Sequence, residues 1–188
     1  SFVIFFILLI QVKAFIALSV KIQLFTQCAN RFIANYFSIG FSMTSIPEFM
    51  THMHRECDEL FSEAEAAVAK QDWPLALTKW QSFASELTKH FNQEEEVLFP
   101  KFEQATGMTA GPTQVMRMEH QQMRAIVQDL DNALAAKQKD EYLGLSETLM
   151  VTMQQHNMKE EMMLYPMMEQ NIAEGEQIIE SFKASSVI

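Results

Sequence analysis

Cysteines and clustered basic residues are scarce in this 188-residue sequence. Its two cysteines, Cys28 and Cys57, are too few and too far apart to predict a disulfide framework or a thiolate metal site. The 14 lysines and arginines form no block and the formal net charge is −10, so no nucleic-acid partner is expected. The cysteine usage suits a reducing compartment, and we expect a cytoplasmic protein.

Acidic residues are absent from residues 1–47, whereas all 24 aspartates and glutamates lie from Glu48 onward. The first 20 residues are apolar enough to resemble a membrane anchor, although Gln11 and Lys13 interrupt them near the middle. Two interpretations of residues 1–42 stay open. We favour a segment foreign to the native protein, because Met43 opens a more ordinary globular sequence; a membrane partner is expected only if the segment is a true anchor.

Helix-breaking residues are also few, with five glycines and five prolines in the whole chain. From Met43 onward they separate long stretches of helical periodicity, which predicts an all-α domain over residues 43–175. The tail, 176–188, can add a short helix after Gly175 ends the domain. The four predicted helices run from the cap Ser45 to about Lys70, from the cap Asp72 to about Ala105, over about 112–137, and from the cap Asp140 to about Asn171.

An internal repeat relates the two halves of this domain. A shift of 66 residues places His54 on His120, and it places the segment HFNQEEEVLFP on HNMKEEMMLYP. One helix pair used twice, with short loops, predicts an up-down-up-down antiparallel four-helix bundle with approximate two-fold symmetry. A site built by both halves is expected near that axis.

Each predicted helix carries an apolar stripe at spacings of three and four residues, the seam that faces the centre of a bundle. Histidines and glutamates lie on these seams among the apolar residues. The four seams are Met50, His54, Cys57, Phe61, Ala64 and Val68; Phe83, Leu87, His90, Glu94 and Val97; Met116, His120, Met123, Val127, Leu130 and Leu134; and Leu149, Thr152, His156, Glu160 and Met163.

The two inward glutamates predict a metal site more strongly than the histidines do, because a single buried histidine is more often structural than a ligand. A buried carboxylate costs several kcal/mol unless it is paired or binds a metal, and no Arg or Lys lies near these two on the same stripe. Histidine and glutamate one turn apart can converge on one ion or bridge two. The predicted ligands are His54, His90, Glu94, His120, His156 and Glu160.

Several neighbouring residues are expected to have no role at the metal. His52, Glu95 and Glu161 lie off the seam and should be solvated. Cys57 should be a small buried hydrophobe, and the 14 methionines should be flexible core filler rather than copper ligands. Two prolines, Pro100 and Pro166, are predicted to bend or end their helices.

The segments HRECDELF, HFNQEEEVLFP, MEHQQMR and HNMKEEMMLYP resemble the hemerythrin-like, or HHE cation-binding, family over about 47–172. The resemblance implies a non-haem di-iron centre in which the four histidines bind two iron ions and Glu94 and Glu160 bridge them. Oxygen-carrying hemerythrins have a second histidine one turn along the third helix, where this sequence has Arg124. They also have an aspartate five residues after the last histidine, whereas this sequence has Glu160 four residues after it. The centre is more similar to that of bacterial proteins linked to nitric-oxide stress and the repair of iron centres.

The resemblance implies a protein that binds or senses a small ligand, such as oxygen, nitric oxide or peroxide, in stress response or iron-centre repair. A di-iron oxidase or ferroxidase is the enzymatic alternative, but ferritin-like sites are richer in carboxylates than this one. A structural metal-binding bundle, for example with zinc, is a third. Because we favour binding over catalysis, we name no catalytic residues, and the identity of a protein partner stays open.

Overall fold

The computed structural model describes residues 43–185, and these form helices joined by short loops. The interpretations of residues 1–42 concern a segment outside these described residues. Two five-residue π-helical turns, Glu94–Leu98 and Glu160–Leu164, each join two α-helices into one longer helix. The α-helices are α1 Ile46–Ala69, α2 Trp73–Gln93, α3 Phe99–Thr106, α4 Pro112–Ala135, α5 Lys139–Lys159, α6 Tyr165–Asn171 and α7 Gly175–Ser185.

The long helices pack as the predicted four-helix bundle. Helix α1 contacts α2 and α5, and α4 contacts the same two helices, so sequence neighbours joined by short loops run antiparallel. At one end α3 packs on α6, and α7 lies against α1. The bundle and the short C-terminal helix are therefore confirmed, although α7 begins at Gly175 instead of following it. Across residues 43–185, none of the helices combines the length and the apolar composition needed to cross a membrane.

Apolar side chains fill the bundle in two clusters that leave a polar level between them. One cluster is centred on Phe61, Trp80 and Tyr142, and the other includes Leu98 and Phe102. In each long helix the chain passes from one cluster to the other through a histidine. The second cluster also takes Ile178, Ile179 and Phe182 from α7. The bundle thus holds its polar residues in a layer closed above and below by hydrophobic packing.

Two of the three predicted N-terminal caps are confirmed. The Ser45 hydroxyl accepts a hydrogen bond from the backbone N–H of Glu48, and the Asp72 carboxylate accepts one from Leu75. These bonds satisfy backbone N–H groups that have no partner within the first helical turn.

The predicted cap Asp140 is wrong, because α5 begins at Lys139 and Gln138 precedes it. The 66-residue repeat accounts for this start, since Gln138 corresponds to Asp72. The preceding residues, Gln71 and Lys137, also correspond, and both have positive φ, 58° and 56°. The backbone of this loop is therefore used twice, but only its first copy carries a capping side chain.

The π turns move the buried face of the helix by one position. Val97 and Met163 were predicted on the seam, but Leu98 and Leu164 are buried instead, and Met163 is 59% exposed. A π turn contains one residue more than an α turn, so the residues after it are shifted by one position around the helix. In α5, before the turn, Met153 rather than Thr152 is buried.

Of the two outcomes expected at Pro100 and Pro166, a bend or an end of the helix, the end is wrong, because helical structure continues through both prolines. Each proline lies in the first turn of the α-helix that follows a π turn, in α3 and α6. Proline lacks an N–H and is tolerated in a first turn, where that group has no intrahelical role. Both long helices therefore continue beyond the level of the histidines into the second apolar cluster.

Replacing Asp72 with alanine should lower the free energy of unfolding by about 1 kcal/mol, because the first turn of α2 loses its side-chain acceptor. The matched substitution Asp140→Ala should cost less than about half of that, since Asp140 lies inside the first turn and caps nothing. Urea denaturation of the two variants measures both values. Equal losses would show that Asp140 is a cap after all.

Candidate metal centre

The four predicted histidines meet in two pairs, each supplied by one repeat. The Nε2 atoms of His54 and His90 lie 3.1 Å apart, and those of His120 and His156 lie 3.0 Å apart. Two imidazole nitrogens each bound about 2.1 Å from one metal ion, at right angles, would lie about 3 Å apart. Each pair is therefore spaced as ligands of a single ion. We call the His54–His90 pair the first position and the His120–His156 pair the second position.

The two predicted glutamates connect these positions. Glu160 places Oε2 at 3.3 Å from Nε2 of His54 and Oε1 at 3.3 Å from Nε2 of His156. Glu94 places Oε2 at 3.2 Å from Nε2 of His120 and 3.5 Å from Nε2 of His90. Each carboxylate thus approaches one histidine of each pair. The structure brings all six predicted ligands together, and their binding of metal stays a prediction.

The donor set fits metal ions for a reason independent of the family. Glu94 and Glu160 are fully buried, and within residues 43–185 all their ion-pair partners are histidines. Among residues 43–185, one oxygen of each, Oε2 of Glu94 and Oε1 of Glu160, lies near histidine Nε2 atoms but accepts no well-aligned hydrogen bond. Buried carboxylates in this state are costly unless a cation compensates them. Imidazole and carboxylate together suit first-row transition ions, which include iron and zinc.

The inner carboxylates make the middle of the centre favourable for positive charge. Burial, followed by the charge of Glu160, raises the pKa of Glu94 to about 7. Burial opposes ionisation of Glu160 as well, but hydrogen bonds from His156 and His54 outweigh it and hold the pKa of Glu160 well below its usual range. Burial alone would lower the pKa of His156, yet the hydrogen bond and charge of Glu160 raise it to about 9. The ionised Glu160 therefore stabilises cationic neighbours.

Glu95 and Glu161, which we expected to be solvated, instead hold the ring orientation of two histidines. The Nδ1 atom of His120 donates to Glu95 over 2.7 Å, and that of His54 donates to Glu161 over 2.8 Å. Each carboxylate comes from a helix of the other repeat, which a helical wheel of one helix does not show. Their recurrence as Glu-Glu doublets under the 66-residue shift was the available signal.

A third such carboxylate, Glu119, was missed. It accepts a hydrogen bond from Nδ1 of His156 over 2.9 Å and pairs with Lys159. Carboxylates that accept from the distal nitrogen of a metal-binding histidine fix its tautomer and make it a stronger donor. Glu119 directly precedes His120 in the sequence, so its side chain points in a different direction from that of His120, towards the neighbouring helix.

Tyr165 is a further residue of the centre that the sequence analysis did not assign. Its hydroxyl donates to Oε1 of Glu94 over 2.7 Å and lies 2.9 Å from Oε2 of Glu160 and 3.1 Å from Nε2 of His54. The corresponding residue in the first repeat is Phe99, which stacks on His120 with ring centroids 5.9 Å apart. The substitution of Phe by Tyr across the repeat was the only sequence signal.

Two residues excluded from the ligand set lie outside it in the structure. The side chain of His52 is 45% exposed and pairs with Glu56 over 3.2 Å. Cys57 is buried in the first apolar cluster as a free thiol, and burial raises its pKa to about 12. Neither group belongs to the two clusters whose donor atoms lie within 4.8 Å of one another.

The hemerythrin HHE cation-binding domain model matches residues 45–182 of this chain. The chain belongs to this hemerythrin family. It is similar to an uncharacterized hemerythrin-like protein of Schizosaccharomyces pombe, with 27% identity over 149 residues that cover 77% of this chain and 70% of that protein. No solved structure matches it. The His/Glu cluster described above is thus the candidate cation site of a hemerythrin-like domain.

Glu94→Ala and Glu160→Ala should each lose most of the metal that the wild-type domain retains, because each removes a carboxylate that approaches both positions. His52→Ala, on the same helix as His54 but half-exposed, should retain it. Elemental analysis after gel filtration gives metal per chain, and circular dichroism verifies folding. Equal metal loss in all three variants would contradict this assignment of ligands.

Proposed function

We propose that this hemerythrin-like domain binds two iron ions and uses them to bind or sense a small ligand, such as oxygen, nitric oxide or peroxide. The observation that carries the proposal is the pairing of four imidazoles, two by two, with two carboxylates that each reach both pairs. Stress response or iron-centre repair is the setting we infer. A cytoplasmic location stays a prediction from cysteine usage.

The number of protein donors leaves room for a small ligand if the bound ions are iron. Each position has two imidazole nitrogens and is approached by both glutamates. Glu160 offers a different oxygen to each position, whereas Oε2 of Glu94 lies near both. Iron ions commonly take more than four ligands, so a pair held in this way supplies open coordination positions and one-electron redox chemistry. A structural zinc site would be complete with these four donors.

The residues around the centre exclude water and offer one hydrogen-bond donor. Phe91 stacks on His120 with ring centroids 4.0 Å apart, and Phe99 covers the same ring from farther away. Tyr165 is fully buried, with its hydroxyl among Glu94, Glu160 and His54. A small ligand at the centre would meet this hydroxyl as a donor, in surroundings where a hydrogen bond is stronger than in water.

Arg124 lies at the edge of the centre and points to Glu95. Its Nη1 donates to Glu95 over 2.8 Å, its guanidinium lies 5.0 Å from the centroid of Phe91, and its side chain is 39% exposed. Where an oxygen carrier has a further histidine, this chain therefore has an arginine that holds Glu95, the acceptor of the His120 Nδ1 atom. We infer that the centre has fewer imidazole ligands than a carrier has.

A di-iron oxidase or ferroxidase is less well supported by the arrangement of carboxylates. Glu95, Glu119 and Glu161 accept hydrogen bonds from histidine Nδ1 atoms and do not join the two inner carboxylates as further candidate ligands. Imidazoles therefore dominate the inner donor set, unlike the carboxylate-rich ferritin-like sites.

Protein purified without oxygen should contain about two iron ions per chain, because two sets of donors lie at one level of the bundle. One set is Glu94, His120, His156 and Glu160, and the other is His54, His90 and Glu160. Adding oxygen, nitric oxide or peroxide should change its visible absorption. Elemental analysis and optical spectra measure both properties. One zinc ion per chain, with no iron and no visible absorption, would contradict the proposal.

Tyr165→Phe should keep the wild-type metal content, since phenylalanine already occupies the corresponding place in the first repeat. The spectral change caused by nitric oxide should reverse faster, by about 5- to 10-fold, when the gas is removed, because one hydrogen bond of about 1 kcal/mol or slightly more is lost. Stopped-flow absorption measures this rate. An unchanged rate would show that the hydroxyl does not contact the ligand.

A further inference from the structure

The second position has a carboxylate and a cation behind each of its two histidines. Glu95 accepts from Nδ1 of His120 and is held by Arg124, whose two terminal nitrogens lie 2.8 and 3.2 Å from its oxygens. Behind His156 stand Glu119, which accepts from Nδ1, and Lys159, which pairs with Glu119. Both imidazoles are therefore fixed in orientation and polarised by acceptors that are themselves held in place.

Behind His54, at the first position, the carboxylate is present but its cation is not. His54 donates to Glu161 over 2.8 Å. The residue that corresponds to Arg124 under the 66-residue shift is Asp58. Asp58 thus places a second acidic group where the other repeat has a guanidinium, and one of its oxygens is buried with no hydrogen bond from the described part of the chain. The acceptor of His54 is less firmly held than that of His120.

Behind His90, the second histidine of the first position, both groups are missing. The residue that corresponds to Glu119 is Met53, and the one that corresponds to Lys159 is Gln93. Both are buried, and the Nδ1 atom of His90 and the Oε1 atom of Gln93 have no hydrogen-bond partner among residues 43–185. A charged pair that supports one histidine is thus replaced by a thioether and an amide behind its counterpart.

These differences bear on metal affinity, because an acceptor on the distal nitrogen of a ligating histidine strengthens its bond to the ion and fixes its orientation. Loss of such a partner typically lowers metal affinity by about 10- to 100-fold. We infer that the two positions are unequal: the second position binds its ion tightly, and the first position is the weaker, exchangeable one. This inference rests on the proposed function in that two ions must bind.

The groove beside Met53 is consistent with exchange at the first position. Met53 lines an open groove of about 700 Å³ together with Glu56, Glu59, Glu63 and Glu86, and with Lys89 among its basic residues. An excess of carboxylates along an open groove raises the local concentration of cations. The buried side chain that takes the place of the missing acceptor therefore also lies along an acidic groove.

Stepwise loading of the metal-free full chain with ferrous iron, without oxygen and against a chelator of known affinity, tests this inference. Wild-type protein should bind two ions in two steps whose dissociation constants differ by about tenfold or more. His90→Ala should keep the tight step, and His156→Ala should lose it. These two variants assign each step to a position without any measurement of reactivity.

The repeat itself provides the matched variants. Glu119→Met combined with Lys159→Gln copies the Met53–Gln93 pair into the second repeat, and it should weaken the tight step by about 10- to 100-fold. Met53→Glu supplies the missing acceptor to His90 and should bring the weak step closer to the tight one. Glu119→Gln keeps an acceptor oxygen and should weaken the tight step less than the double variant does.

The outcomes separate this inference from the proposed function. Two ions bound with equal affinity in the wild type, or an unchanged tight step in the folded double variant, overturn the inequality while the two-iron proposal stands. No iron bound at any concentration overturns both. If Met53→Glu does not fold, the double variant still decides, because both of its new side chains already occur at the corresponding places of the first repeat.

Discussion

The burial of Glu94 and Glu160 in an apolar bundle is the constraint on which the other contacts of the centre depend. Two carboxylates at this depth need compensation, and the residues that surround them are imidazoles rather than lysines or arginines. An imidazole can meet a carboxylate as a protonated cation or share a metal ion with it. The outward-facing ring nitrogens of His54, His120 and His156 then find acceptors of their own in the outer carboxylates.

The apolar clusters on either side of this level are as necessary as the ligands. Because they exclude water above and below the histidines, the interactions between carboxylate and imidazole are strong, and unpaired oxygens are costly. The π turns contribute by starting at the two glutamates themselves. Each turn presents its glutamate to the centre and then sets Leu98 or Leu164 into the apolar cluster that follows.

The two-fold repeat of the backbone is close, but the side chains around the centre have diverged. The loops before α2 and α5 share their conformation, and the four histidines occupy corresponding places. In contrast, Tyr165 corresponds to Phe99, and the charged pair of Glu119 and Lys159 corresponds to Met53 and Gln93. A symmetric scaffold thus holds two positions with different surroundings.

The sequence by itself determined the four helices, the repeat, the apolar seams and the six inward donors, because each depends on spacing along one helix or on the 66-residue shift. Asp140 was misjudged as a cap because a plausible capping residue near a boundary does not fix where that boundary lies. Only the tertiary structure decided which carboxylate serves which histidine: Glu95, Glu119 and Glu161 reach across to other helices. It also decided the π turns and the place of the Tyr165 hydroxyl, since both depend on packing between helices, which the periodicity of a single helix does not contain.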